Sequence, residues 1–212
     1  MEAMIDHKGT NNLEKIFNFL HIAENLKSTL RYLHTANGDK ESSAEHSWRL
    51  SLMVFLIAEE LKIDLDLMRA VKMALVHDLA ESITGDIDAI KIAEGEISKK
   101  EKYELEKRAM QKIKNSLPEE RGMEIYALWH EFEKSETAEA KFVKALDKLE
   151  TLTQIAEMGY KFYDKPQFIA NYANMAVCEF PVLKGMLKII KRELKAKFEK
   201  GEIPWLKEYD EI

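Results

Sequence analysis

The chain has 212 residues, of which 46% are hydrophobic and 33% are charged, and this composition excludes an intrinsically disordered chain. Its 32 basic and 38 acidic residues give a formal net charge of −6, which argues against a protein that coats nucleic acid but allows a small anionic substrate. The single cysteine excludes a disulfide framework and indicates a reducing, cytoplasmic compartment.

The hydrophobic pattern predicts an all-α protein with no membrane partner. The longest apolar stretch, residues 50–58, is interrupted by Ser51 and falls short of the ~20 residues that a membrane helix needs. With 8 glycines and 4 prolines the chain has little turn chemistry, and no segment alternates apolar and polar residues over the length of a strand. We therefore expect a bundle of helices.

Apolar periodicity and capping signals predict where these helices lie. Ser42 with Glu45, and Ser98 with Glu101, have the spacing of a capping box, and Pro118 suits a first helical turn. In chain order, the predicted helices cover about residues 13–33, 42–61, 66–79, 98–115, 118–133, 137–159 and 181–200. Residues 35–40 are predicted to be a loop.

We predict one domain, because the sequence has no internal repeat and no linker rich in glycine, serine or proline. The predicted division is a flexible N-terminal segment (residues 1–12), a domain (residues 13–180), and a C-terminal helix and tail packed on it (residues 181–212). Residues 184–200 carry an excess of five positive charges, a pattern that also occurs in nucleic-acid-binding arms. Their apolar stripe instead favours packing against the domain or a second subunit, without a nucleic-acid partner.

Four residues with metal-ligating side chains occur where the sequence is otherwise apolar: His46, His77, Asp78 and Asp147. Asp78 and Asp147 interrupt hydrophobic runs, and a buried carboxylate is costly unless it is paired or binds a cation. Two imidazoles with carboxylates and no thiolate suit Mn, Co, Fe or Zn better than Mg. The sequence therefore predicts a divalent transition-metal site.

Three further residues have the chemistry that a phosphate-ester hydrolase needs beside such a metal. A bound metal can lower the pKa of water from about 15.7 to about 7, as zinc does. Glu81 follows His77 by four residues, so in a continuing helix it would share that face and could orient the water or protonate a leaving group. Asp86 follows at a turn, and Arg31 offers a planar fork for phosphate oxygens.

The order of these motifs resembles the HD-domain metal-dependent phosphohydrolases, specifically their 5′-deoxynucleotidase branch. The resemblance rests on Arg31, on SSAEHS around His46, and on the segments LVHDLAESITGD (residues 75–86) and TAEAKFVKALDKLE (residues 137–150). It covers about residues 13–180. It implies a helical HD domain in which His46, His77, Asp78 and Asp147 hold one divalent metal, and hydrolysis of deoxyribonucleoside 5′-monophosphates.

By the same resemblance, Arg31 would bind the phosphate, Glu81 would assist the nucleophilic water, and Asp86 with Ile87 would lie beside the sugar. Asp86 would then help to reject a 2′-hydroxyl, although Glu81 and Asp86 are also candidate ligands of a second metal. Close bacterial members have Trp directly after the arginine, where this chain has Tyr32, which can still flank a phosphate and donate a hydrogen bond. Members are commonly homodimers, and residues 48–61 are a candidate subunit contact.

Two alternatives to this function remain at the level of sequence. HD domains also cleave cyclic dinucleotides, alarmones and nucleoside triphosphates, so the same site could act on another phosphorylated nucleotide. The chain could also be a non-catalytic binding module that the metal stabilises, although all candidate ligands are present.

Overall fold

The computed structural model describes residues 7–87, 92 and 95–211. The first helix, α1 (His7–Ala23), begins six residues before its predicted start and ends well before its predicted end. A 3₁₀ turn (Glu24–Lys27) and the strand β1 (Leu30–His34) follow, so the prediction of one helix over residues 13–33 is wrong in its C-terminal part.

The strand β1 pairs antiparallel with β2 (Lys40–Ser42) in a two-stranded sheet. Gly38, with φ of 96°, lies in the connecting turn, where its N–H donates to the carbonyl of Thr35. The dipeptide Asn37-Gly38 is a common hairpin signal, which the leucine spacing upstream obscured. Arg31 is therefore held on a strand and not at the end of a helix.

The predicted all-α class is confirmed, since this hairpin is the single sheet in the described part of the chain. Within the described segments, the further α-helices in chain order are α2 (Ser43–Glu60), α3 (Leu67–Val76), α4 (Glu81–Thr84), α5 (Lys99–Ser116), α6 (Glu119–Lys134), α7 (Ala138–Met158), α8 (Pro166–Asn171), α9 (Asn174–Glu179) and α10 (Lys184–Lys200). Short 3₁₀ helices cover Tyr160–Phe162, Pro181–Leu183 and Lys207–Asp210.

The predicted starts of α2, α3, α5, α6 and α7 agree with the structure. Both capping boxes form: the Ser42 and Ser98 side chains accept from the N–H groups of Glu45 and Glu101, whose carboxylates accept in return. Asp66 caps α3 in the same way, by accepting from a backbone N–H with its side chain.

The core is built around α7, which packs against α2, α3, α6 and α10. Leu146, Leu149 and Leu152 of α7 are fully buried in the larger hydrophobic cluster. A smaller cluster lies between α1, α5 and α6 and contains Met110 and Trp129. Because α7 is enclosed by its neighbours, any polar side chain on it must find a partner inside the bundle.

The helix α10 packs its apolar stripe against α7. Leu187, Leu194 and Phe198 are fully buried, and α10 lies against α7. Of the helices in the described segments, none combines the length and the apolar character required to cross a membrane.

Candidate metal centre and active-site cavity

The four side chains predicted to be metal ligands meet around the Nε2 atom of His46. His77 Nε2 and Asp147 Oδ1 each lie 3.2 Å from that atom, and Asp78 Oδ2 lies 3.8 Å from it. Asp78 Oδ2 is also 3.1 Å from His77 Nε2. The structure therefore brings ligand atoms of His46, His77 and Asp78 within 4.8 Å of one another, and Asp147 joins them through its contact with His46.

Three elements of the bundle supply these donors. His46 lies in the first turns of α2, His77 and Asp78 directly follow α3, and Asp147 lies near the middle of α7. The mutual packing of α2, α3 and α7 makes the donors converge, although they are far apart in the sequence.

The outer nitrogens of both histidines are already engaged. His77 Nδ1 lies 2.8 Å from the backbone carbonyl oxygen of Ala74, and His46 Nδ1 hydrogen-bonds to Glu150 Oε2. A carbonyl or carboxylate partner at Nδ1 requires the proton there, which leaves the lone pair of Nε2 for a metal.

This donor set fits a divalent transition metal. Ligand atoms about 2.1 Å from a metal and at right angles to each other are about 3 Å apart, close to the 3.1–3.2 Å spacings seen here. The donors are nitrogen and oxygen without sulfur, as intermediate metals such as Mn, Fe, Co and Zn prefer. The residues present are thus suited to the metal that the motif implies.

The charges of the site are those that a cation requires. Burial favours the neutral acid of Asp78, but His77, His46 and Arg31 hold its pKa below the usual range. Burial likewise opposes the charge of Asp147, whose pKa is nevertheless held well below the usual range, first by Lys148 at 2.9 Å. Both carboxylates are therefore ionised at neutral pH and ready to bind a metal.

His46 would be cationic in the metal-free protein. Burial and Arg31 lower its pKa, but Glu150 and Asp147 outweigh them and raise it to about 9. Metal binding must therefore release a proton from this imidazole, so metal affinity should increase with pH.

Arg31 lies beside the predicted metal ligands, on β1. Its Nη1 is 3.4 Å from Asp78 Oδ2, its Nε is 3.2 Å from Glu41, and its Nη2 donates to the Thr151 hydroxyl at 3.2 Å. Only 13% of its side chain is exposed. The guanidinium is thus fixed in place before any substrate binds.

Glu81 opens α4 and is buried at the same cavity. The sequence suggested that the helix of His77 continues to Glu81. In the structure the chain turns between α3 and α4, so Glu81 does not lie on a continuation of α3. The Ser43 hydroxyl donates to Glu81 Oε2 at 2.6 Å. Burial, followed by the charges of Asp78 and Asp86, raises the pKa of Glu81 well above its ordinary value.

A cavity of about 570 Å³ opens over these groups. Tyr32, Asp86 and Ile87 line it together with Arg31, Glu81 and the ligands His77, Asp78 and Asp147. Its wall also includes apolar side chains: Ile155, Met158, Phe162, Phe168 and Ile169. The Tyr32 hydroxyl donates to Asp164 Oδ2 at 2.5 Å, across the rim. An apolar cavity with a few convergent charges is typical of a small-molecule site.

Sequence reasoning assigned no role to several residues that support this site. Glu41 and Glu150 are buried against the cationic side chains Arg31 and Arg49, and Lys148 contacts Asp147. The spacing in the sequence could have identified Glu150, because it follows Asp147 by three residues in α7 and therefore lies on the same helix face.

Comparison with known proteins places the chain in a family. A family model described as HD domain matches residues 23–175. The chain is 38% identical over 144 residues to the human 5′-deoxynucleotidase HDDC2, covering 67% of each protein. It is 34% identical over 185 residues to the 5′-deoxynucleotidase HDDC2 of Danio rerio, covering 85% of this chain and 88% of that one.

A solved structure agrees with these matches. The crystal structure of a predicted metal-dependent phosphohydrolase from Magnetospirillum magnetotacticum MS-1 superposes with a TM-score of 0.77 and 26% identity, over 95% of this chain and all of that one. The fold, the His-Asp pair that follows α3 and the family match over most of the chain lead to one conclusion: this chain belongs to the HD-domain family.

Proposed function

We propose that this protein is a metal-dependent phosphomonoesterase that hydrolyses deoxyribonucleoside 5′-monophosphates to a deoxynucleoside and phosphate. The observation that carries the proposal is the cluster of His46, His77 and Asp78, with Asp147 in contact with His46, at a cavity that Arg31 also lines. The similarity to proteins named 5′-deoxynucleotidase supports the choice of substrate.

In this mechanism His46, His77, Asp78 and Asp147 would hold a divalent metal. When bound, the metal would supply an activated water at neutral pH and neutralise charge on the phosphoryl oxygens. Arg31 binds the phosphoryl oxygens through its planar fork and stabilises the charge that develops on them. Its fixed position lowers the entropic cost of orienting the phosphate.

Glu81 is the proposed proton-transfer residue. Burial and the charges of Asp78 and Asp86 raise its pKa above the ordinary value, which favours the protonated form and suits a group that orients water or protonates the leaving alkoxide. Ser43 holds the carboxyl through one oxygen and leaves the other for the reacting groups.

Three further residues that the sequence analysis identified, Tyr32, Asp86 and Ile87, are proposed to contact the sugar and the phosphate of the substrate. Asp86 and Ile87 line the cavity and would lie beside the deoxyribose, where Asp86 disfavours a 2′-hydroxyl. Tyr32 would flank the phosphate on the side of Asp164. The apolar wall that includes Phe162 and Phe168 is suited to a nucleobase.

The native metal is proposed to be Mn, Co, Fe or Zn. Two imidazole donors disfavour Mg, which prefers oxygen ligands throughout. The division of the chain into residues 1–12, 13–180 and 181–212 stays a prediction. A cytoplasmic location is proposed on the basis of the single cysteine.

The function is tested by phosphate release from deoxy- and ribonucleoside 5′-monophosphates. Chelator-treated protein is resupplied separately with Mn, Co, Zn and Mg, and release is expected from the deoxy series with a transition metal. Equal cleavage of both series would support the proposed phosphatase activity but contradict the selectivity for deoxyribose assigned to Asp86. No release with any metal would contradict the proposal, and cyclic dinucleotides, alarmones and nucleoside triphosphates would then be assayed as substrates. If none of these is cleaved either, the non-catalytic binding module becomes the favoured alternative.

A homodimer through α2 is the proposed assembly. Trp48, Leu52 and Phe55 recur at helical spacing and are 65%, 42% and 43% exposed, which makes an apolar stripe on the surface. Replacing Trp48 and Phe55 together with glutamate should convert the dimer to a monomer in light scattering. Met175→Glu, at a side chain of α9 that is 80% exposed, is the control and should leave the mass unchanged. A monomeric wild-type protein would rule out the dimer.

A further inference from the structure

A buried ion-pair network lies behind His46, on the side away from the other predicted ligands. Glu150 is fully buried and uses both of its oxygens: Oε2 pairs with His46 Nδ1, and Oε1 accepts from Arg49 Nε at 2.6 Å. Arg49 extends outward to Gln154 and to Glu157, 2.6 Å away. The proposed mechanism uses none of these groups.

The chemistry of imidazole explains what a carboxylate at this position does. A neutral imidazole carries its proton on one nitrogen and its lone pair on the other. Oε1 of Glu150 accepts from Arg49 Nε, so the carboxylate presents Oε2 to His46 Nδ1 as an acceptor. In the neutral imidazole of His46 the proton must therefore lie on Nδ1, and the lone pair of Nε2 then faces His77 and Asp147.

The same residues could be taken for a second metal site, because Glu41, His46 and Glu150 offer atoms within 4.8 Å of one another. The guanidinium groups of two arginines already neutralise these glutamates. Arg31 Nε lies 3.2 Å from Glu41, and Arg49 lies between Glu150 and Glu41, at 2.6 and 3.9 Å. A further cation there would be repelled by both guanidinium groups.

We propose that Glu150 is a positioning residue that fixes the tautomer and ring orientation of His46, and that Arg49 holds Glu150 for this task. The proposal rests on the metal site of the proposed function but not on its nucleotide substrate. Arg49 keeps the buried carboxylate charged and fixed in direction, because its Nε–H bond occupies the oxygen that does not face His46. Carboxylate partners of this kind raise the basicity of a metal-binding imidazole.

Metal affinity of Glu150→Gln tests the proposal. Glutamine has one acceptor oxygen, so its NH₂ group must face either His46 Nδ1 or Arg49 Nε, both of which are donors. We expect a 10- to 100-fold loss of Zn²⁺ affinity, measured by competition with a chelator, while the circular dichroism spectrum is unchanged. Glu157, whose side chain is 40% exposed, is the outer partner of the same arginine, and the Glu157→Gln protein should bind Zn²⁺ as the wild type does.

A spectroscopic measurement on the wild type tests the orientation directly and does not depend on the folding of any variant. In the Zn²⁺-loaded protein, ¹⁵N NMR of the imidazoles should assign the proton of His46 to Nδ1 and the metal to Nε2. A proton on Nε2, or wild-type Zn²⁺ affinity in Glu150→Gln, would overturn the proposal. Protein that binds Zn²⁺ in the expected way but releases no phosphate from nucleotides would overturn the proposed function and leave this inference intact.

Discussion

Asp78→Ala is expected to abolish both metal binding and phosphate release, while the helical circular dichroism spectrum persists. Asp78 supplies one of the four donors that converge on the site and lies between α3 and α4, outside both helices. Its removal takes away a charged ligand and an ion-pair partner of Arg31, 3.4 Å away. Metal content after dialysis, together with release of phosphate from a deoxyribonucleoside 5′-monophosphate, measures both effects.

Asp164→Asn is the matched control for this loss. Asp164 also lines the cavity, but it accepts a hydrogen bond from Tyr32 at the rim and is not among the converging donors. The control should therefore retain bound metal. Metal content in Asp78→Ala equal to that of the wild type would contradict the ligand assignment.

Glu81→Gln is expected to reduce kcat by about 10²- to 10⁴-fold, the range that general acid–base catalysis contributes. The amide keeps the shape of the side chain and an acceptor for the Ser43 hydroxyl, so metal affinity should change little. Turnover at saturating substrate, with the metal content measured in parallel, separates the loss of proton transfer from the loss of metal. Turnover at the wild-type rate would remove Glu81 from the mechanism.

The same substitution should stabilise the metal-free protein at higher pH. Because the folded protein raises the pKa of Glu81, proton binding favours folding, and stability is lost as the pH rises from the unfolded value of 4.5 through the folded one. Glutamine carries no charge and removes this loss. Thermal unfolding of both proteins should show a higher Tm for the variant at pH 8 and a smaller difference near pH 5.

Glu106→Gln provides a buried glutamate for comparison with Glu81→Gln. Burial also raises the pKa of Glu106, to about 7, and its partner is Lys102 at 3.2 Å. Glu106 is not among the groups that line the cavity, so its replacement should leave kcat unchanged. Equal losses of activity in both variants would point to a general structural effect and not to proton transfer by Glu81.

The local features of the fold could be predicted from the sequence because they depend on neighbours within about four residues. Capping boxes begin α2 and α5 where the spacing of serine and glutamate predicts them. The incorrect prediction of a helix through residues 30–33 arises because the structure there depends on pairing with another segment and not on near neighbours. A strand forms there because pairing with Lys40–Ser42 outweighs a leucine spacing that would also suit a helix.

The sequence by itself determined which donor types the chain carries and in which order: His46, the His77-Asp78 pair and Asp147. Whether these donors meet was decided by tertiary structure, since 31 residues separate the two histidines and 104 separate His46 from its partner Glu150. The direction of each imidazole also depends on hydrogen bonds at the nitrogen that faces away from the site. Contacts between distant segments follow from how α2, α3 and α7 pack, and no local pattern encodes that packing.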